Sequence, residues 1–93
     1  MAQVTIETNI PLEKLIASPN LGLTLENYSE AFARGQIIGR LNDVFDYVEP
    51  PFDHTNVFVS PNKFNDLIIS ITVEIHEDYT QINGGALKSA LVE

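Results

Sequence analysis

The chain has 93 residues, which is too few for two independently folding cores, so the sequence predicts a single domain over residues 1–93. Its 44% apolar and 19% charged residues favour a folded globule, and the lack of cysteine excludes disulfides, thiolate catalysis and cysteine zinc sites. The net charge of −8 disfavours direct binding to nucleic acid or to an anionic membrane.

Two patterns that would place the chain at or across a membrane are missing from the sequence. No apolar run approaches the roughly 18 residues that a membrane-spanning helix needs. Residues 1–11 do not show the basic stretch followed by an apolar stretch that a secretory signal requires. We therefore expect a cytoplasmic protein with no membrane partner.

The first two predicted elements are a strand and a short helix. Residues 4–8 alternate apolar and polar side chains, which is typical of a half-buried strand. Residues 11–17 have apolar side chains at helical spacing, and Thr8 is a candidate cap just before them. Pro19 ends this helix, because the residue before a proline is pushed out of helical geometry.

The longest predicted element is a helix over about residues 25–48. Asn27 and Glu30 have the spacing of a capping box, and Thr24 is a second cap candidate. The helical pattern continues to Val48, where the prolines that follow end it. Such a helix would be roughly 35 Å long, whereas a compact domain of this size is only about 30 Å across.

The apolar face of this helix changes side near Gly35. Before the glycine, the apolar side chains cluster on one side, at Leu25, Tyr28, Ala31 and Phe32. After it, they cluster roughly 140° away, at Ile37, Ile38, Leu41, Val44, Phe45 and Val48. Either the helix kinks at Gly35 or its two halves pack against different bodies. We adopt the second interpretation and predict a homodimer or higher oligomer, whose interface comprises Tyr28, Ala31, Phe32, Gly35 and Gly39.

Two strands follow the helix. Residues 56–60 alternate, with Val57 and Val59 on one face, and residues 67–76 alternate apart from Ile68, which falls on the otherwise polar face. The apolar face of the second strand consists of Leu67, Ile69, Ile71, Val73 and Ile75. We expect the two strands to form an antiparallel hairpin, with Phe64 covering its loop end.

The end of the chain completes the predicted fold. Residues 79–82 are a candidate extension of the sheet, and residues 86–92 have apolar side chains at helical spacing. The element order is therefore strand, helix, helix, strand, strand, helix. This order predicts a two-layer α+β fold, in which the long helix packs across the apolar face of a small antiparallel sheet. The second half of the long helix is expected to share a core with the last strand.

Residues 74–78 contain the best candidates for catalysis or metal binding. On a strand, Glu74, His76 and Asp78 would share one face, and carboxylate and imidazole groups bind divalent metals. His54 and Asp53 could add ligands from the preceding loop. The alternative is the ordinary polar face of an antiparallel sheet, since neighbouring side chains on one strand rarely converge on one ion. We adopt this alternative and predict no metal, no cofactor and no enzyme activity.

The negative charge is concentrated in the second half of the chain. Residues 43–78 contain eight acids and one base, whereas the rest of the chain contains five acids and four bases. One interpretation is solubility, and the other is a surface that attracts a basic partner. Several of these acids lie near predicted element ends, which could meet on one side of the domain. We call this predicted surface the acidic end and define it as Asp46, Glu49, Asp53, Glu77 and Asp78.

These features favour a non-enzymatic protein-binding domain. Asp43 and Tyr47 complete the predicted partner-binding residues, because tyrosine among acids suits a hot spot for a basic partner. One version is an inhibitor, of the kind that phages and mobile elements use to occupy a basic nucleic-acid-binding site on a host protein. The alternative is a structural or assembly subunit of a phage or other particle. A weaker alternative is a small metal-dependent enzyme built around His76.

Overall fold

A computed structural model describes residues 3–49, 51–79 and 82–92 of the chain. The elements within these ranges are β1 (Gln3–Pro11), α1 (Leu12–Ala17), α2 (Glu30–Val44), β2 (Val57–Pro61), β3 (Ile68–His76) and α3 (Gly84–Val92). Their order confirms the predicted α+β fold. The predicted extension of the sheet over residues 79–82 lies partly outside the described residues.

The strands form one antiparallel sheet in the order β1-β3-β2, so β3 is the central strand. Gln3 pairs with His76 at one end of the sheet, and Pro11 pairs with Ile68 at the other. Alternate side chains of β3 point into the core, where Ile69, Ile71, Val73 and Ile75 are buried. The predicted hairpin of β2 and β3 is confirmed, and β1 pairs along the other side of β3.

A layer of helices covers one face of this sheet. α2 packs against β2, α3 packs against β1, and the two helices contact each other. α3 buries Leu87, Ala90 and Leu91, which are the side chains whose spacing predicted it. The opposite face of the sheet exposes polar side chains such as Glu7 and Glu74. The fold therefore has two layers, but α3 shares with α2 the covering role that the sequence assigned to the long helix alone.

β1 is longer than the predicted strand over residues 4–8. Thr8, a candidate helix cap, is instead buried within the strand, opposite Ile71. The pairing continues because the backbone N–H of Leu12 donates to the carbonyl of Leu67 at 2.8 Å. Pro11 is the last residue of the strand and also the N-cap position of α1.

α2 is shorter than the predicted helix over residues 25–48. Its N-cap is Ser29, whose hydroxyl accepts the backbone N–H of Phe32 at 3.1 Å. Thr24 and Asn27 are not caps of this helix, since each side chain accepts the other's backbone N–H, at 3.1 and 2.7 Å, and closes a separate turn. Phe45 follows the helix with a non-helical backbone. At about 22 Å, α2 fits within the 39 Å long dimension of the molecule and does not overhang it.

α2 runs through Gly35 without a break and buries one continuous face. The buried side chains are Ala33, Ile37 and Leu41, which follow one another at intervals of four residues. Polar side chains beside this stripe also face the protein: Gln36 donates to the carbonyl of Leu21 at 2.8 Å. The apparent change of face arises because the apolar residues before Ala33 are not part of the buried stripe.

Four apolar side chains that were predicted to be covered lie at the surface. Val44 and Val48 are exposed, because α2 ends at Val44 and the chain then turns away from helical geometry. Leu67 is 66% exposed, since it lies one residue before β3 begins. Phe64 is 90% exposed and therefore does not cover the loop end of the hairpin.

Candidate functional site

A contact between two tyrosines brings the exit of α2 next to the exit of β3. Tyr47 follows the end of α2, and Tyr79 follows the end of β3. Their ring centroids are 4.7 Å apart in an edge-to-face arrangement, and both side chains are half-buried against the core. The acids that flank Tyr47 in sequence therefore lie near those that flank Tyr79. Tyr47 is therefore only partly exposed, and it lies beyond the end of α2 rather than on a solvent-facing side of the helix.

The loop that carries Asp53 is tied to the same end of the molecule. The rings of Phe45 and Phe52 lie 5.8 Å apart, and the side-chain amide of Asn42 donates to the carbonyl of Phe52 at 3.0 Å. Further along this loop, the carbonyl of Asn56 accepts the backbone N–H of Glu74 at 2.9 Å. These bonds anchor the loop both to the last turn of α2 and to the C-terminal part of β3.

The carboxylates of the acidic end face solvent. Asp46, Glu49, Asp53, Glu77 and Asp78 are all exposed, as is Asp43 on the last turn of α2. The hydroxyl and the backbone N–H of Thr55 both donate to the Asp53 carboxylate, and these bonds hold the pKa of Asp53 below its usual value. Asp53 is therefore fully ionised at neutral pH.

The two arginines of α2 bind backbone carbonyls rather than carboxylates. Arg34 donates to the carbonyls of Val57 and His54, and Arg40 donates to the carbonyl of Ala90 at 2.8 Å. Within the described residues, the one carboxylate within ion-pair distance of a basic side chain is that of Asp78, 3.2 Å from His76 Nδ1, and this pair is charged only when His76 is protonated. In the part of the chain that the structure describes, the carboxylates of the acidic end therefore form no direct ion pair with lysine or arginine.

The candidate metal ligands Glu74, His76 and Asp78 lie at and just beyond the end of β3. His76 Nδ1 lies 3.2 Å from the Asp78 carboxylate and, when it carries no proton, accepts the backbone N–H of Asp78 at 3.1 Å. These contacts belong to the turn that follows the strand. The described part of the chain contains no group of three His, Asp or Glu side chains placed to hold a metal ion.

The residues of the predicted oligomer interface divide into two groups. Ala31, Phe32 and Gly39 are exposed, and a Cβ atom added at Gly35 or Gly39 would meet no described atom within 4 Å beyond its chain neighbours and the backbone of its own helix. This side of α2 is open. Tyr28 instead packs partly against the protein's own core, and its buried hydroxyl has no hydrogen-bond partner among the described residues. Burial, and secondarily the charge of Glu30, raises the pKa of Tyr28 above its usual value.

Sequence reasoning placed the acids but did not identify the contacts that bring them together. Asn42 and Tyr79 were not among the predicted site residues, although they anchor the loop and the strand exit. A weak signal was available for Tyr79, since Tyr47 and Tyr79 are each preceded by an aspartate just after an element ends. No pattern in the sequence marks Asn42, whose acceptor lies ten residues further along the chain.

Comparisons with protein-family models, with curated proteins and with solved structures gave no match. In the part of the chain that the structure describes, every helix is too short or too polar to cross a bilayer.

Proposed function

We propose that the chain is a cytoplasmic, non-enzymatic protein-binding domain whose acidic end binds a basic surface on a partner protein. The observation that carries this proposal is the contact between Tyr47 and Tyr79, which joins two acidic segments of the chain. Where the partner's basic surface also binds nucleic acid, the acidic end would compete for the same cations, and the domain would act as an inhibitor.

Exposure and charge support this proposal. The carboxylates of the acidic end are solvent-exposed on a chain of net charge −8, so they create a field that accelerates encounter with a cationic surface. The half-buried rings of Tyr47 and Tyr79 contact each other, and each tyrosine directly follows an aspartate of the acidic end in the sequence. Aromatic side chains at the centre of a charged rim are a common arrangement in protein interfaces.

Charge reversal tests the acidic end. The triple variant Asp46→Lys, Glu49→Lys and Asp53→Lys should bind the partner at least about 10-fold more weakly than the unmodified chain, because it turns attraction into repulsion. The partner is first captured from a lysate with both chains as bait, and its affinity is then measured by calorimetry at low and high salt. The affinity of the unmodified chain should fall as salt shortens the Debye length to about 8 Å or less.

A charge-matched control separates this surface from the overall charge. Glu7, Glu30 and Asp66 are exposed acids outside the acidic end, and reversing these three changes the net charge equally. The control variant should retain most of the affinity. Equal losses in the two variants would point to a general charge effect, and no loss in either would leave the acidic end with a solubility role only. Inhibition is tested by displacement of nucleic acid from the captured partner.

An assembly subunit is the second candidate, and the open side of α2 favours it. Phe32 is 41% exposed there, next to glycines that would allow a second backbone to approach closely. An apolar helix face that the chain itself leaves uncovered is suited to contact with a second copy of the chain. This second hypothesis predicts the homo-oligomer expected from the sequence, with the open side of α2 as its interface.

Light scattering coupled to size exclusion tests the oligomer. At tens of micromolar, the unmodified chain should elute as a dimer or larger species, and a monomer of 10.3 kDa would contradict the prediction. The double variant Gly35→Ala and Gly39→Ala makes the test specific. Among the described residues, the added methyl groups meet nothing beyond the backbone of their own helix, so each should stabilise the helix by about 0.5–1 kcal/mol while weakening association. Weaker association together with higher stability of the isolated chain distinguishes an interface from misfolding.

A further inference from the structure

An apolar groove lies at the opposite end of the sheet from the acidic end. It comprises two adjoining hollows of about 450 and 560 Å³, which share Glu13, Ile16 and Leu25 as lining residues. Leu12 and Leu67 also line the first hollow. Pro11 and Ile68, which pair at the end of the sheet, line one side of the groove. Gln3 pairs with His76 at the other end, beside the acidic end, and the eight residues of β1 between the two pairs span about 27 Å.

Two leucines in this groove are exposed although the chain around them is hydrogen-bonded. Leu25 is 73% exposed and Leu67 is 66% exposed. Leu25 lies inside the turn that Thr24 and Asn27 close with their reciprocal bonds. Leu67 donates its own backbone N–H to the side chain of Asn65 at 3.0 Å, and its carbonyl accepts from Leu12. Large apolar side chains held at the surface in one continuous concavity are typical of a docking site.

The charges around the groove indicate what kind of partner it could bind. The charged side chains among the lining residues are Glu13 and Glu26, both acids. Lys14, the neighbour of Glu13 on α1, lines a separate hollow together with Lys88. A second copy of a chain of net charge −8 is disfavoured beside an acidic rim. An occupant with apolar side chains flanked by lysine or arginine would complement both the apolar lining of the groove and the carboxylates at its edge.

We propose that this groove binds a basic amphipathic segment of a partner protein, with its apolar side chains between Leu25 and Leu67 and its cations beside Glu13 and Glu26. The surface is open along its length, as suits a helix or extended peptide that inserts successive side chains. This site is separate from the acidic end, so a single partner could contact the domain at both ends, or two partners could bind at once.

The probe is a synthetic helical peptide of about four turns, with leucine at every third or fourth position and lysine elsewhere. Binding is measured by calorimetry, and the site is located by NMR of methyl groups. We expect saturable binding that shifts the methyl signals of Leu12, Ile16, Leu25 and Leu67. The variant Leu25→Ser with Leu67→Ser should weaken binding at least about 10-fold, and Glu13→Gln with Glu26→Gln should reduce both affinity and its salt dependence.

Matched controls distinguish peptide binding in the groove from binding at the acidic end and from non-specific hydrophobic binding. Val44 and Val48 are exposed apolar residues at the other end of the molecule, so changing both to serine should leave peptide affinity unchanged. The charge-reversed acidic end should still show the groove methyl shifts, which makes a failure here distinguishable from a failure of the proposed function.

Three outcomes would overturn the proposal. One is the absence of saturable peptide binding up to about 1 mM. Another is unchanged affinity in the Leu25→Ser, Leu67→Ser variant. The third is a shift of the same methyl signals on raising protein concentration without peptide, which would assign the groove to a second copy of the chain.

Discussion

Replacing Ile37 with alanine is expected to lower the free energy of unfolding by about 2–4 kcal/mol. Ile37 is the central residue of the buried stripe on α2 and is fully buried within the apolar core. Truncation removes apolar surface from that core and leaves a cavity that close-packed neighbours fill only in part. Chemical denaturation followed by circular dichroism measures the change.

The matched substitution is Val44→Ala, on the last residue of the same helix. Val44 is 41% exposed, so its truncation should cost less than about 1 kcal/mol. The sequence pattern placed both residues in one core face, whereas the structure buries only the first. Equal losses in the two variants would favour the face inferred from the sequence and contradict the buried stripe at Ala33, Ile37 and Leu41.

The strands were predictable because their signal is local. In β3, apolar and polar side chains alternate along the strand, and a period of two is produced only by a sheet with one buried face. Leu67 fits the same alternation, yet it lies outside the strand because Asn65 accepts its backbone N–H and closes a turn there. The pattern thus predicts the strand well and its first residue poorly.

The buried face of α2 depends on partners that are distant in sequence. The side chains of Gln36 and Arg40, although polar, donate to the carbonyls of Leu21 and Ala90. Those acceptors lie 15 and 50 residues away, so no helical periodicity could reveal them. Ala33 carries too little apolar surface to mark the buried face, although it is fully buried.

In the candidate site, too, some features follow from the local sequence and others depend on contacts between residues distant in sequence. The density of acids after residue 43 is evident in the sequence, and their exposure follows from the high cost of burying an unpaired carboxylate. Their proximity depends on the packing of Tyr47 against Tyr79, two residues separated by a loop and two strands. Such a tertiary contact has no counterpart in a local pattern.

Arg34 binds the free edge of the sheet, a role that the sequence did not indicate. The bonds from Asn62 to Ile68 and from Glu74 to Asn56 direct alternate residues of β2 towards β3. The carbonyl of Val57 therefore points away from the sheet, where it accepts Nε of Arg34 at 2.6 Å. The same guanidinium also donates to the carbonyl of His54 and lies 5.4 Å from the ring centroid of Phe58.

The variant Arg34→Met should lose about 2 kcal/mol of stability, because two charge-assisted bonds to backbone carbonyls disappear and the aromatic contact is lost. Arg34→Lys should recover little of this stability, since one ammonium cannot reproduce the planar geometry of a guanidinium.

The Arg34→Met variant should also aggregate faster on mild heating, because the exposed edge of β2 regains a free carbonyl acceptor that can pair with another chain. Lys63→Met is the control, because it removes the same charge from an exposed loop position. Denaturation curves and light scattering are recorded for the three variants, and similar behaviour of Arg34→Met and Lys63→Met would show that Arg34 contributes only its charge.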